Sequence, residues 1–448
     1  MAPLSSLVGA YSAGVAAGRS VSGGCAGNHP DCPSVSRIVD KKRSLPPFVA
    51  LLGVTVLVAA CGSTGGQAAN RAATTSTTAL ATAAVTTVPT TVPAPTTVPA
   101  GGTVPSGFDP VSFTAISSND YWLLGDAPCS NPVCTSIVRT TDGGSQFVGI
   151  PAPTSPVLEG TGSSTGINTL RFADSLDGYA FATGPGGEFW DTHDGGGQWR
   201  QPGFLTGREL LGFGTGAGYA FALVGSCQSG SCSGVILERS PVTSDQWATI
   251  TVPVPAGTDQ VVSMTVHGSD LWFSVTTSAS QANQLLVAGT GSGAQFSTYP
   301  SPCFSGLGGS IEASSADVLW AVCPTGMMAE AFRSTDGGSQ WKALAAGELE
   351  NSALLAPASD TSAVIQPAEQ GQLLRTGDGG ATWQPVASSG TGGSWWSWIG
   401  FTDASTGAGL QQSDAPANWP WPNGPYPEQL WRTGDGGASW SGPVAIGG

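Results

Sequence analysis

Thr433-Gly434-Asp435-Gly436-Gly437-Ala438-Ser439-Trp440 decides how this chain is read. Its pattern is a hydroxyl, any residue, Asp, any residue, Gly, two further residues and an aromatic. Residues 376–383, 334–341, 192–199 and 140–147 repeat it in full, with Asp378, Asp336, Asp194 and Asp142 in the acidic place. An Asp followed by Gly-Gly is a turn signal: the carboxylate accepts turn N–H groups, and glycine takes positive φ without steric cost. The aromatic then opens a strand, so each copy predicts a hairpin and each Asp a turn clamp. An EF-hand-like calcium loop would need further oxygen ligands and a distant Glu, which are not spaced that way here.

Two weaker copies, 240–247 and 289–296, complete the series. The closing aromatics are Phe147, Trp199, Trp247, Phe296, Trp341, Trp383 and Trp440, at steps of 52, 48, 49, 45, 42 and 57 residues. About 20–30 residues before each turn comes a strand–turn–strand pattern, clearest from Leu170 through Asp177-Gly178 to Phe181. Seven copies of each half, at a period of roughly 40–50, predict an all-β chain: a seven-bladed β-propeller of four-stranded antiparallel blades. The expected domain is 108–448. One blade cannot bury both its faces, so the ring must be complete. How it closes is open; each blade can be contiguous in sequence.

The octapeptides resemble the Asp-box, or BNR, repeat. The longer unit, from Gly178-Tyr179-Ala180 through Trp199, is similar to the repeats of YCF48-like photosystem II assembly factors. The likeness covers roughly Phe108 to Gly448 and implies the propeller fold. It does not imply one activity, because such repeats occur in sialidases, xyloglucanases, sortilin-type receptors and assembly factors. It also implies an Arg-rich partner surface for the photosynthetic members, which this acidic chain lacks, so only the general role of an extracytoplasmic scaffold carries over.

Composition agrees. The 448 residues include 65 Gly and 33 Pro, only 10% are charged, and the net charge is −15. That is a turn-rich composition, and it argues against nucleic acid, which needs clustered Lys and Arg. No cofactor is expected, and the chain reads as a monomer.

The N-terminal quarter predicts location. Residues 1–38 show no periodic pattern and are expected to be untranslated or disordered; a start at Val39 would give a signal of normal length. Lys41-Lys42-Arg43 precedes an apolar run from Phe48 to Ala60 that is short for a transmembrane helix. The ending Leu57-Val58-Ala59-Ala60-Cys61 resembles a bacterial lipobox and implies lipidation of Cys61, with 39–61 as the signal. The expected location is the outer face of the cytoplasmic membrane. Residues 62–107 are Thr-, Ala-, Val- and Pro-rich and read as a disordered spacer, with Thr enough for O-glycosylation.

Six further cysteines suit an oxidising compartment. Cys129/Cys134 and Cys227/Cys232 recur at one place in their blades, each able to staple a hairpin, and Cys303/Cys323 would join neighbouring blades. A four-Cys zinc site is the alternative, but the pairs lack CxxC spacing.

Sialidase chemistry needs an Arg triad from several blades. Arg139, Arg239, Arg333, Arg375 and Arg432 each stand directly before a turn motif, which marks a repeated structural role. Arg171, Arg200 and Arg208 cluster around one blade. A carboxylate-pair glycoside hydrolase stays as the alternative function, with Glu188, Glu209, Glu312 and Glu330 as acids that sequence cannot pair. His193 sits inside a turn motif, and His267 reads as a surface residue. The favoured function is a non-catalytic binding or assembly scaffold for an unknown protein or glycan. Its candidate loop, in the longest blade, carries Trp419, Trp421 and Tyr426 between prolines, which suits flat surfaces. Equally, these residues could pack the last blade. Trp395 and Trp398 read as core.

Overall fold

The computed structural model describes residues 98–130, 133–158, 164–228, 231–255, 257–277, 283–293, 295–350, 353–367, 372–386, 395–412 and 428–446. Cys61, the signal and spacer up to residue 97, Trp419, Trp421 and Tyr426 lie outside the described residues.

Among the described residues, antiparallel strands form seven sheets that follow one another in chain order. They are the seven blades of a β-propeller. Blade 1 is Asp109–Ala115, Tyr121–Pro128, Val133–Thr140 and Val148–Ile150, each strand paired with the next. Blade 3 (from Glu209–Gly216), blade 4 (from Thr258–His267), blade 6 (from Leu355–Pro357) and blade 7 (from Trp396–Phe401) repeat that order. The helical content of the described residues is a single 3-10 turn, Gly203–Leu205.

Two blades depart from four simple strands. Blade 5 splits its outer strand into Lys342–Ala343 and Leu349–Glu350, both paired with Met328–Ser334. Blade 2 has three strands, Thr169–Phe172, Gly178–Phe181 and Phe189–Thr192. Where the fourth would run, only a bridge between Asp191 and Arg200 remains.

Near-continuous apolar runs on the inner strands bury both faces of each blade, while outer strands such as Ala248–Ile250 stay exposed. Seven hydrophobic clusters result, each shared by two consecutive blades. Trp122 of blade 1 stacks on Phe172 of blade 2 at 4.1 Å and 6°. Phe113 of blade 1 meets Trp398 of blade 7 at 4.8 Å. Burying one such aromatic is worth about 1.5–3 kcal/mol. The first strands of neighbouring blades lie against each other around the axis. Ser112 Oγ and Thr114 Oγ1 accept the Leu170 and Phe172 N–H groups at 3.0 and 3.2 Å, so part of the inner edge of blade 2 is satisfied by side chains.

The ring closes without strand exchange. Blade 7 ends with its own strand, Ser441–Val444, and packs on blade 1. The Glu428 N–H donates to Asp109 Oδ1 at 2.8 Å across that seam. Part of the stretch read as spacer touches the ring. Gly102 pairs with Gly149 through two hydrogen bonds of 2.7 and 3.0 Å, covering the outer edge of blade 1, and Val104 packs on the blade 1–7 cluster. A second correction concerns blade 7: Trp396 and Trp398 are buried and Trp395 is half-buried, because Trp396 opens the strand.

Antiparallel order gives the ring two unlike faces. On one lie the first-to-second and third-to-fourth turns. They touch: the N–H groups of Gly143, Gly195, Gly337, Gly379 and Gly436 donate to carbonyls of the adjacent first-to-second turns. On the other face lie the second-to-third turns and the links between blades.

Candidate functional site

The five full turn motifs are built alike. In the last, Thr433 Oγ1 donates to Asp435 Oδ1 at 2.8 Å and accepts the Gly437 N–H at 3.0 Å. Asp435 Oδ1 also accepts the Ser439 N–H at 2.9 Å. Asp142, Asp194, Asp336 and Asp378 make the same set, with 2.8 Å to the hydroxyl and 2.9 Å to the later N–H. Hydrogen bonds from the Thr382 hydroxyl and N–H hold Asp378 at about 2. Slight burial works against ionisation of Asp435, but the Ser439 bonds outweigh it and hold it at about 2. These carboxylates are consumed by their own turns.

Three of the arginines before the turns stitch their blade to the next. Arg239 Nη1 donates to Gly291 O at 2.6 Å, Arg333 Nε to Asp360 O at 3.1 Å, and Arg375 Nε to Gly436 O at 2.7 Å. Arg139 and Arg333 also cover the Trp122 and Trp320 rings at 5.2 Å. Blade 4 has Ala288 at this position, and Trp272 Nε1 donates to Gly337 O instead, at 3.0 Å.

Blade 2 breaks the scheme and creates a distinct polar cluster. Asp191 stands where five other blades carry Arg, and it is wholly buried. Arg200, from the missing fourth strand, reaches back: Nε lies 3.0 Å from Asp191 Oδ1 and Nη2 lies 2.5 Å from Asp245 Oδ2. Asp245 belongs to the degenerate turn of blade 3. There Ser240 Oγ donates to Ser244 O at 2.6 Å, so no acid is needed inside the turn and Asp245 faces blade 2. His193 lies between, with Nδ1 2.5 Å from Asp177 Oδ1 and Nε2 3.4 Å from Asp245 Oδ1. Burial, with Asp245 beside it, pushes Asp191 up to about 7. Burial also raises Asp177, against the pull of His193. It opposes the His193 charge, yet the surrounding carboxylates outweigh it and raise the imidazole. Asp245 is lowered despite partial burial, through Asp191, His193 and Arg200.

A second charged pair lies at the axis. Arg171 and Glu312, on the first strands of blades 2 and 5, are both buried. Burial pulls Arg171 down to about 10, opposed by Glu312. Burial lifts Glu312 well above the usual carboxylate range, opposed by Arg171 and Thr265. Arg171 therefore serves the axis, while Arg208 binds Glu238 of blade 3 at 2.7 Å and Arg200 the seam cluster. The three arginines that looked clustered in sequence have three separate jobs.

The acids singled out from sequence are not brought together. Glu188 Oε2 accepts from Trp190 Nε1 and Gln201 Nε2, both at 3.1 Å. Glu209 opens blade 3, and Glu330 is exposed on the third strand of blade 5. His267 is half-buried rather than on the surface, and burial lowers it. A groove of about 670 Å³ runs between the turns of blades 5 and 6, lined by Arg333, Trp341, Lys342 and the structural Asp336 and Asp378.

The cysteines pair as Cys129–Cys134, Cys227–Cys232 and Cys303–Cys323. The first two staple second-to-third turns, and the third joins blades 4 and 5. The four-Cys zinc alternative is thereby overturned, because Cys129, Cys134, Cys227 and Cys232 are each paired within their own blade. The opposite face also exposes large apolar side chains: Phe304 and Leu307 after blade 4, and Met327 and Met328 in the blade 5 turn, Met327 at 88%.

Sequence could have flagged Asp191, the one acid in a column of arginines. Nothing local flags Asp245.

The fold is that of a seven-bladed β-propeller, and solved propellers resemble it. YCF48 bound to D1 peptide matches with 17% identity over 74% of this chain and 95% of that one, at a TM-score of 0.47. YCF48 from Cyanidioschyzon merolae matches with 14% identity over 74% and 97%, at 0.48. A GH74 xyloglucanase from Xanthomonas campestris matches with 14% identity over 74% and 72%, at 0.37. No protein-family profile and no curated protein sequence matches the chain.

Proposed function

We propose that this protein is an exported lipoprotein, anchored through Cys61 to the outer face of the cytoplasmic membrane, whose Asp-box propeller is a non-catalytic platform for a protein or glycan partner. The observation that carries the binding reading is the exposure of Phe304, Leu307, Met327 and Met328, which follow the two cysteines of one disulfide on the face of the second-to-third turns. Large apolar side chains gathered on a surface mark an interaction site more often than chance exposure does. The candidate loop enters and leaves at that face, since its flanking residues Gln412 and Glu428 pair there. Residues 108–448 carry 9 Lys and Arg against 28 Asp and Glu, so a neutral or basic partner is favoured. The glycoside-hydrolase reading has less support: Glu312 is buried beside Arg171, and Glu188 is held by two donors.

The test is a photo-crosslinking amino acid placed at residue 327 and, as a control, at residue 434 on the opposite face, in cells making the full chain. Discrete adducts from 327 alone are expected. Equal adducts from both positions, or none from 327, reject this face as the binding surface. Anchoring is tested by Cys61→Ser, which should release the protein from membranes; unchanged membrane association refutes it.

A further inference from the structure

We propose that Asp191, His193 and Asp245 form a site for a divalent first-row cation, zinc foremost, at the seam of blades 2 and 3. One ligand atom from each lies within 4.8 Å of the others. His193 Nε2 and Asp245 Oδ1 are 3.4 Å apart. Two ligands about 2.0–2.2 Å from a tetrahedral ion stand roughly 3.3–3.6 Å from each other, so this pair needs almost no rearrangement.

The carboxylate oxygens of the site are divided between Arg200 and the side facing His193. Arg200 occupies Asp191 Oδ1 and Asp245 Oδ2. That leaves Asp245 Oδ1 and Asp191 Oδ2, and the latter is buried with no hydrogen-bond partner on a side chain that is itself 0% exposed. A buried carboxylate oxygen without a donor is costly, and a cation satisfies it. Asp177 holds His193 Nδ1 at 2.5 Å, which orients Nε2 toward the seam. A carboxylate behind an imidazole is the usual outer-shell support of a metal-bound histidine.

Charge points the same way. With the carboxylates of Asp177, Asp191 and Asp245 all ionised, as a bound cation would hold them, the one guanidinium of Arg200 leaves two negative charges. A divalent ion cancels both, whereas a protonated His193 cancels one. One imidazole with two carboxylates suits zinc or manganese, while calcium prefers an all-oxygen cage. A water would complete the coordination. The ion would be structural: it would join the blades at the seam where the Arg stitch is replaced by an acid and the fourth strand is reduced to a bridge.

The experiment is calorimetric titration of the chelator-stripped full chain with zinc chloride, beside Asp245→Asn and His193→Gln. Cys25, Cys32 and Cys61 are present in all three, so the difference between proteins isolates the seam. Wild type should show one more zinc equivalent than either variant, or bind it at least 10-fold more tightly. Zinc should raise its Tm by a few degrees and leave that of the variants unchanged. Identical stoichiometry, affinity and Tm response in all three overturn the site. Should the variants fail to fold, anomalous diffraction at the zinc edge on wild type decides. An ion bonded to His193 Nε2 supports the proposal, and an ion-free seam in stoichiometric zinc refutes it.

Discussion

The two faces of the ring are made by opposite rules. The face of the Asp turns repeats one hydrogen-bond set five times, with each acid and each hydroxyl spent on its own turn and most repeat arginines spent on the next blade. Among the described residues the other face shows no hydrogen-bond set shared by all its turns. Two of its turns are stapled by disulfides, one carries an exposed Met327, and one is the long insertion of blade 7. Uniform turns make the scaffold rigid, and free turns can then vary without loss of the fold. The seam cluster of blades 2 and 3 is the exception that sharpens the contrast, because it breaks the repeat on the uniform face.

The largest expected effect tests that uniform face. Gly437 has φ +82°, and a Cβ there would lie 2.4 Å from Val364 Cγ2 of the neighbouring blade. Gly437→Ala should cost about 2–4 kcal/mol through the left-handed strain and the clash together. Gly434→Ala, three residues earlier, meets nothing within 4 Å and should stay within about 0.5 kcal/mol of wild type. Denaturant midpoints of both variants check this, and equal midpoints would mean that the turn is not a close-packed clamp.

The disulfides rank next. Cys303 and Cys323 are buried, are 20 residues apart and tie blade 4 to blade 5. Loop closure at that length is worth about 3 kcal/mol, against about 2 for a five-residue staple, and burial adds a cavity on removal. The double Ala variant of Cys303 and Cys323 should therefore melt lower than that of Cys129 and Cys134. Calorimetry giving the reverse order would show that a staple within one blade outweighs a bridge between two.

How much of this was legible depends on the range of each interaction. The Asp turns could be read because all their bonds close within eight residues and glycine marks the positive φ. The Cys staples were legible for the same reason. The missing fourth strand of blade 2 was not, because Trp199 closes its motif normally and only the following Arg200 is diverted to Asp191. The seam cluster was hidden because His193 meets Asp245 52 residues further on. The electrostatic coupling of Arg171 and Glu312 joins first strands of blades 2 and 5, 141 residues apart in the chain, and so needs the ring closed. The contact of Gly102 with Gly149 was hidden because Gly102 has no side-chain pattern, and only the partner strand gives it an address.

Acid separates the faces more gently. Asp378 and Asp435 lie near 2 when folded, below the ordinary 3.8. A depressed carboxylate stabilises the fold above its unfolded value and loses that contribution as pH falls through the folded one. Stability from these turns should thus be complete above about pH 4 and fade toward pH 2. Asp378→Asn should lower Tm at pH 6 and flatten its decline between pH 4 and pH 2. A parallel decline in variant and wild type would show that the turn carboxylate does not sense acid.

The smallest stability effect belongs to the variable face, and its smallness is informative. Met327 is 88% exposed at the tip of the blade 5 turn. It leaves little apolar surface to bury on folding, so Met327→Ser should change unfolding free energy by less than about 0.5 kcal/mol. Phe304 and Leu307 are 46% and 43% exposed, and their replacement by Ser removes about half a side chain of packing each. If this face binds a partner, Met327→Ser loses affinity without losing stability, which no variant of the Asp-turn face can do. Equilibrium unfolding and partner capture, measured on the same preparation, separate the two quantities. A substantial drop in stability would place Met327 in the packing of the ring. Unchanged capture would move the contact to Phe304 and Leu307 or to the blade 7 insertion.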